Sequence, residues 1–174
     1  QGHTMALFTS HVALRAAALT IRPSLEAQEI RVLAQGMDGS PQDLLKEFQE
    51  NPQAVLLGTA SFWEGVDLIG ESLKVLVLAR LPFDVPTEPV FVARSDLFDN
   101  PFQEYALPQA ILRFRQGFGR LIRSGSDRGA VVVLDRRIAT RSYGALFLRS
   151  LPPCTVAHPL LQELPNTVTR WLAH

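Results

Sequence analysis

An α/β fold with a mostly parallel sheet is predicted by three features of this 174-residue chain. Five short aliphatic runs recur along it, and most are apolar throughout, as strands covered on both faces are. Helix-type stretches alternate with several of them, the order that builds parallel sheets through crossovers. Glycine, proline and hydroxyl residues punctuate the junctions.

Taken in order, Gln1-Gly2-His3 has the look of a purification-tag junction, and residues 1–4 are set apart from the domain at 5–174. Met5 to Phe8 is the first strand candidate, and Thr9-Ser10 ends it. Ser10 is placed to cap a helix from His11 to Leu19, which Pro23 should stop. Ile30 to Leu33 is the second strand. Ser40-Pro41 opens a helix through Glu50, with proline at the first helical position. Ala54 to Leu57, Leu73 to Leu78 and Gly129 to Leu134 are the remaining strands. Between the last two lies Pro82 to Pro108, rich in Pro and Phe, read as an excursion with short helices such as Pro89 to Leu97. An arginine-rich turn, a helix over Ser142 to Arg149, an extended piece at Thr155 to Ala157 and a helix from Thr167 to Leu172 complete the chain.

Composition sets bounds. No apolar run approaches the roughly 18 residues of a membrane helix. A single cysteine, Cys154, excludes an internal disulfide and a cysteine-built metal centre in this chain, and it is expected to be packed rather than reactive. Net charge is zero but segregated. Asp38 to Glu104 holds twelve acids and four bases; Gln109 to Arg149 holds nine arginines, no lysine and two aspartates. An all-arginine block suits bidentate contact with phosphate or carboxylate. It is equally able to pair with the acidic half of the same fold.

The centre of that block is Gln116 to Arg123, QGFGRLIR. At helical spacing, Gln116, Gly119, Arg120 and Arg123 fall on one side and Ile111, Phe114, Phe118, Leu121 and Ile122 on the other. Gly117 and Gly119 each cost a helix about 1 kcal/mol against alanine, which points to close approach by something else. Two guanidiniums one turn apart repel unless an anion lies between them, as a polyphosphate would. A solvated basic helix face accounts for the same pattern. If the nucleotide reading holds, Arg120 and Arg123 should be unpaired within their own fold and turned to the carboxyl edge of the sheet, where α/β ligands gather.

Three polar clusters follow strands at that edge: Thr9-Ser10, Thr59 to Asp67 (TASFWEGVD), and Arg136-Arg137. Thr59 and Ser61 offer hydroxyls to phosphate, Glu64 and Asp67 offer carboxylates around a tight turn at Gly65, and Phe62 and Trp63 suit core packing. Arg136, Arg137 and Arg141 either add to a strand-binding track or are ordinary surface charge.

EGVD and QGFGRLIR together resemble motifs V and VI of superfamily 2 helicases, in the branch of XPD and the bacterial DinG helicases. RLPFDVPTEPV (Arg80 to Val90) is similar to that branch's LPF segment, and LFTSH (Leu7 to His11) to its motif IV region. The likeness runs from Ala6 to the C-terminus. It implies the second RecA-like domain, the C-terminal part, of an ATP-dependent DNA helicase of the bacterial cytosol or nucleoid, acting 5′ to 3′ in DNA repair. By the same likeness Gln116, Arg120 and Arg123 reach the γ-phosphate of ATP and Mg²⁺ held by a preceding RecA-like domain. Gly65, Asp67, Glu64 and Gly119 frame that cleft, and Thr59, Ser10, Thr9 and Ser61 hold the backbone of single-stranded DNA. An iron–sulfur cluster, where such a parent has one, belongs to the first domain.

The chain has no GxxxxGK[ST] phosphate loop and no Asp-Glu-x-His stretch, so it is not expected to hydrolyse ATP alone. Two other readings stand beside the motor domain. One is a stand-alone α/β phosphate- or nucleic-acid-binding module without ATPase activity. The other is a small Rossmann-like nucleotide enzyme, which lacks the glycine-rich turn after its first strand. His11 and His158 have no ligand-spaced neighbours, so no metal site is expected.

Overall fold

Side-chain alternation along the strands decides the layering. In β1 (Thr4–Leu7), Met5 and Leu7 face one cluster and Ala6 the other. The same split separates Leu33 from Val32 and Ala34 in β2 (Arg31–Ala34), and Ala54 and Leu56 from Val55 and Leu57 in β3 (Ala54–Gly58). A strand with apolar residues on both sides must be covered on both sides. The computed structural model describes residues 3–59, 62, 73–122 and 128–173, and the side chain of Arg120 lies outside that description.

The five strands, completed by β4 (Val75–Leu78) and β5 (Ala130–Val133), form one sheet of order β2-β3-β1-β4-β5. Every pair is parallel. The α/β prediction therefore holds. Register brings Gly58, Leu7, Leu78 and Val133 side by side at the carboxyl edge. The residues just past these strand ends are thus set in a row: Thr59, then Thr9-Ser10, then Arg80, then Asp135-Arg136.

One face is covered by α1 (His11–Glu26), through Leu14, Ala18, Ile21 and Leu25. The other carries α2 (Pro41–Glu50), α4 (Leu107–Leu121) and α6 (Gly144–Arg149), through Leu44, Phe48, Ala110, Phe114 and Phe147. The remaining helices are α3 (Pro89–Ser95), α5 (Arg137–Thr140) and α7 (Leu164–Ala173).

Ser10 caps α1 as predicted, its Oγ accepting from the Ala13 amide at 3.1 Å. Ser40 caps α2 in the same way, and Asp43 lies in its first turn. Pro23 does not stop α1, which runs one turn further to Glu26. An interior proline costs a helix about 3 kcal/mol. Here Leu25 packs into the α1 cluster and Arg22 pairs with Asp38 at 2.6 Å, so tertiary contacts hold the last turn.

His3 and Thr4, set apart as a tag remnant, take part in the sheet. Thr4 opens β1, and the His3 carbonyl accepts from the amides of Lys74 and Val75. The excursion forms α3 and then a wide turn, Phe102–Ala106, that runs straight into α4. Thr155 to Ala157 is exposed and joins no strand of the sheet. The arginine-rich turn is instead helix α5, and the last helix starts at Leu164 rather than Thr167. Among the described residues, no helix is long and apolar enough to cross a membrane.

Candidate functional site

Helix α4 is amphipathic in the predicted sense. Ala110, Phe114, Gly117 and Leu121 are buried, and Gln116 and Gly119 are exposed. The two glycines differ in kind. Gly117 lies on the buried side of the helix. A Cβ built on Gly119 would meet nothing within 4 Å, so this backbone is open to an incoming group. Arg120 is one residue further along the helix, and Arg123 lies outside the described residues.

The edge predicted for Arg120 and Arg123 concerns groups outside the described residues; what is described is where the backbone of α4 ends. A helix joining two parallel strands runs back against them, and so it finishes at the amino edge. Leu121 packs against Gly129, just before β5: a Cβ there would lie 2.6 Å from Leu121 Cγ. The indole Nε1 of Trp171 donates to the Gly129 carbonyl at 2.9 Å and closes the same corner. Gln116 and Gly119 lie on the exposed flank of α4, near its C-terminal end.

At the carboxyl edge, Thr9 and Ser10 are exposed. Ser10 uses an oxygen lone pair as the helix cap, which leaves its O–H free to donate. Thr59 is only 7% exposed. Its amide and hydroxyl both donate to Gln35 Oε1, at 2.8 and 3.0 Å. To bond a phosphate, Thr59 must first give up Gln35. Phe62 is buried against Gly58, as expected of a core aromatic. Ser61, Trp63, Glu64, Gly65 and Asp67 lie outside the described residues.

Arg136, Arg137 and Arg141 play different parts. Asp135, which no sequence motif singles out, takes Arg137 for itself. Nη2 is 2.6 Å from Oδ2, and Nε is 3.0 and 2.9 Å from the two oxygens. The amides of Leu81 and Arg137 donate to the same carboxylate at 3.0 Å each. Burial pushes the Asp135 carboxyl up, but the Arg137 side-chain bonds, the two amides and the arginine charge outweigh it and hold its pKa at about 2. The Arg137 guanidinium also lies over the Phe83 ring, 5.3 Å from its centroid. Arg137 is thus a structural cation. Arg136 and Arg141 remain exposed, and Arg80 joins them around a depression at the ends of β4 and β5. In the sequence Arg80 stands out only as part of the LPF segment. Its signal is position, two residues past a buried strand.

Two further expectations resolve here. Arg113 of the basic half pairs with Asp84 of the acidic half at 2.6 Å, so part of the charge asymmetry is internal. Cys154 is exposed, not packed, because it follows Pro152-Pro153 in the irregular segment beyond α6. Among the described residues, no group of three or more His, Cys, Asp or Glu is placed to hold a metal ion.

Comparison with known proteins shows the family of the chain. The family model of the helicase C-terminal domain matches residues 1–154. The chain is 45% identical over 169 residues to the Bacillus subtilis "3'-5' exonuclease DinG", covering 94% of itself and 18% of that protein. It is 41% identical over 176 residues to the Escherichia coli "ATP-dependent DNA helicase YoaA", covering 99% of itself and 26% of that protein. It is 41% identical over 156 residues to "ATP-dependent helicase DinG" of Mycobacterium tuberculosis H37Rv, covering 87% of itself and 23% of that protein. The chain thus spans about a quarter or less of the length of these relatives. Among solved structures, the C-terminal domain of yeast Dbp5, bound to Gle1 and IP6, aligns with a TM-score of 0.50 at 16% identity, over 98% of this chain and 83% of that one. That likeness bears on the fold, a RecA-like α/β domain. With the family model matched over most of its length and these relatives beside it, the chain belongs to the helicase C-terminal domain family, of the DinG/YoaA type.

Proposed function

We propose that the chain is the C-terminal motor domain of an ATP-dependent DNA helicase. In this reading it supplies arginine fingers to ATP bound by a preceding RecA-like domain of the same protein. The observation that carries the proposal is the open flank of α4: Gln116 and Gly119 are exposed, and nothing crowds Gly119. Arg120 and Arg123 act there as fingers, and Gln116 orients the γ-phosphate or the attacking water. Phosphoryl transfer spreads negative charge over the moving group, and an inserted arginine is worth about 10³–10⁵ in rate in other NTPases. Gly65, Asp67 and Glu64 frame the same cleft. Mg²⁺ would be held with the nucleotide by the preceding domain.

The carboxyl edge takes the single strand. Ser10 and Thr9 donate to its phosphates, Thr59 joins them once Gln35 yields, and Ser61 is the next hydroxyl in the sequence. Such contacts fix position and carry no base information. Alternate closing and opening of the two domains on ATP would move the strand, with 5′ to 3′ polarity proposed from the motif resemblance. The proposal is tested by joining the chain to the preceding domain and measuring DNA-stimulated ATPase. Gln116→Ala should lower kcat about 10- to 100-fold with nucleotide affinity kept. Unchanged kcat would remove Gln116 from the site.

A further inference from the structure

The depression at the ends of β4 and β5 has a volume of about 640 Å³, and Arg80, Arg136, Arg137, Arg141, Asp135 and Thr140 are among its lining residues. Its charge is not balanced. Among the described residues Asp135 is the only acid lining it, and Arg137 together with two amides occupies that carboxylate. Elsewhere Arg22, Arg31 and Arg113 each have an acid partner. For Arg80, Arg136 and Arg141 no ion pair is found among the described residues, and all three are exposed. Three like charges drawn to one hollow repel each other unless an anion joins them. Their chemistry favours phosphate, because guanidinium bonds it with two parallel N–H groups.

The sheet register supplies direction. Leu7 is level with Leu78, and Leu78 with Val133, so Thr9-Ser10, Arg80 and Arg136 lie along one edge on three neighbouring strands. We propose that Arg80, Arg136 and Arg141 hold successive phosphates of a single nucleic-acid strand and extend the Thr9-Ser10 contact across β4 and β5. This rests on the reading that the chain carries DNA. Among the described residues no aromatic ring lines the hollow, so it grips the backbone without stacking bases and without sequence preference. Arg137 is not a ligand of the strand. It cancels Asp135, which would otherwise repel the phosphates.

The test is binding of fluorescein-labelled oligothymidylate by the chain across a salt series. Each phosphate contact adds about 0.7 to the slope of log affinity against log salt for a single strand. Arg80→Gln/Arg136→Gln/Arg141→Gln should lower the slope by about 2 and the low-salt affinity at least about tenfold. A control triple, Arg15→Gln/Arg94→Gln/Arg149→Gln, removes the same charge elsewhere and should leave the slope near wild type. Equal slopes in wild type and the first triple, or equal losses in both triples, would overturn the assignment while leaving the strand reading intact. No oligothymidylate binding by wild type at low salt would remove the strand reading and this inference together. Loss of ADP or inorganic phosphate binding with oligothymidylate binding unchanged would make the hollow a free-phosphate site and overturn it. Unfolding midpoints in urea check that each triple is folded, and Arg136→Gln alone, expected to lower the slope by about 0.7, replaces the first triple if it is not.

Discussion

Arg137 closes on Asp135 two residues before it in the chain, with Nη2 2.6 Å from Oδ2 and the backbone amide of Arg137 3.0 Å from Oδ1. The same carboxylate takes the amide of Leu81 at 3.0 Å, from a segment 54 residues away. One side chain therefore ties the loop after β4 to the loop after β5 and sets the spacing of the arginines around it.

Asp135→Asn should be costly. It leaves a partly buried guanidinium without its charge partner and weakens two amide bonds, a loss of about 2–4 kcal/mol. The urea midpoint of the isolated chain checks this. Asp84→Asn removes a partner of Arg113; the Asp84 side chain is more exposed than that of Asp135, 18% against 7%, and the loss should be smaller, about 1 kcal/mol.

Acid should act through the same residue. The folded pKa of Asp135 is about 2, below the ordinary aspartate value of 3.8. A depressed carboxylate contributes stability that is full above its unfolded pKa and is lost as pH falls through the folded one. The contribution, about 2 kcal/mol, should therefore fade between about pH 4 and pH 2. Unfolding free energies of wild type and Asp135→Asn should converge across that window. Parallel curves down to pH 2 would contradict the assignment.

Two glycine substitutions should have opposite effects. A Cβ on Gly144 would lie 2.0 Å from the Ile138 carbonyl oxygen, so Gly144→Ala forces the backbone between α5 and α6 to move and should cost about 3 kcal/mol. Gly119→Ala meets open space in a helix and should raise stability by about 0.5–1 kcal/mol. If a nucleotide approaches that flank closely, Gly119→Ala should also lower ATPase turnover in the protein joined to its preceding domain. A variant that is more stable and equally active would show that no nucleotide approaches Gly119 closely.

The strands and α2 were legible because their signals are local: aliphatic runs, and a serine–proline start with Asp43 in the first turn. The two-sided face of α4 was legible from spacing alone. Pro23 misled because its cost is local, whereas the contacts of Leu25 and Arg22 that offset it are tertiary. The edge expected of Arg120 and Arg123 depends on the Arg120 side chain and on Arg123, which lie outside the described residues. Asp135 was missed although Asp-Arg-Arg stands directly after a strand. Its partner Leu81 is distant in sequence, so neither spacing nor composition points to the bond. Thr59 looked like an exposed donor, and only the fold shows Gln35 beside it.

In the proposed function Arg120 and Arg123 complete an ATPase site held by another domain. Its most direct measurement is DNA-stimulated ATP turnover by the chain joined to its preceding domain, with Arg120→Ala and Arg123→Ala compared at saturating ATP. Each variant should lose about 10³-fold or more in kcat and still bind nucleotide, while the chain alone shows no turnover. Full turnover in both variants would contradict the account.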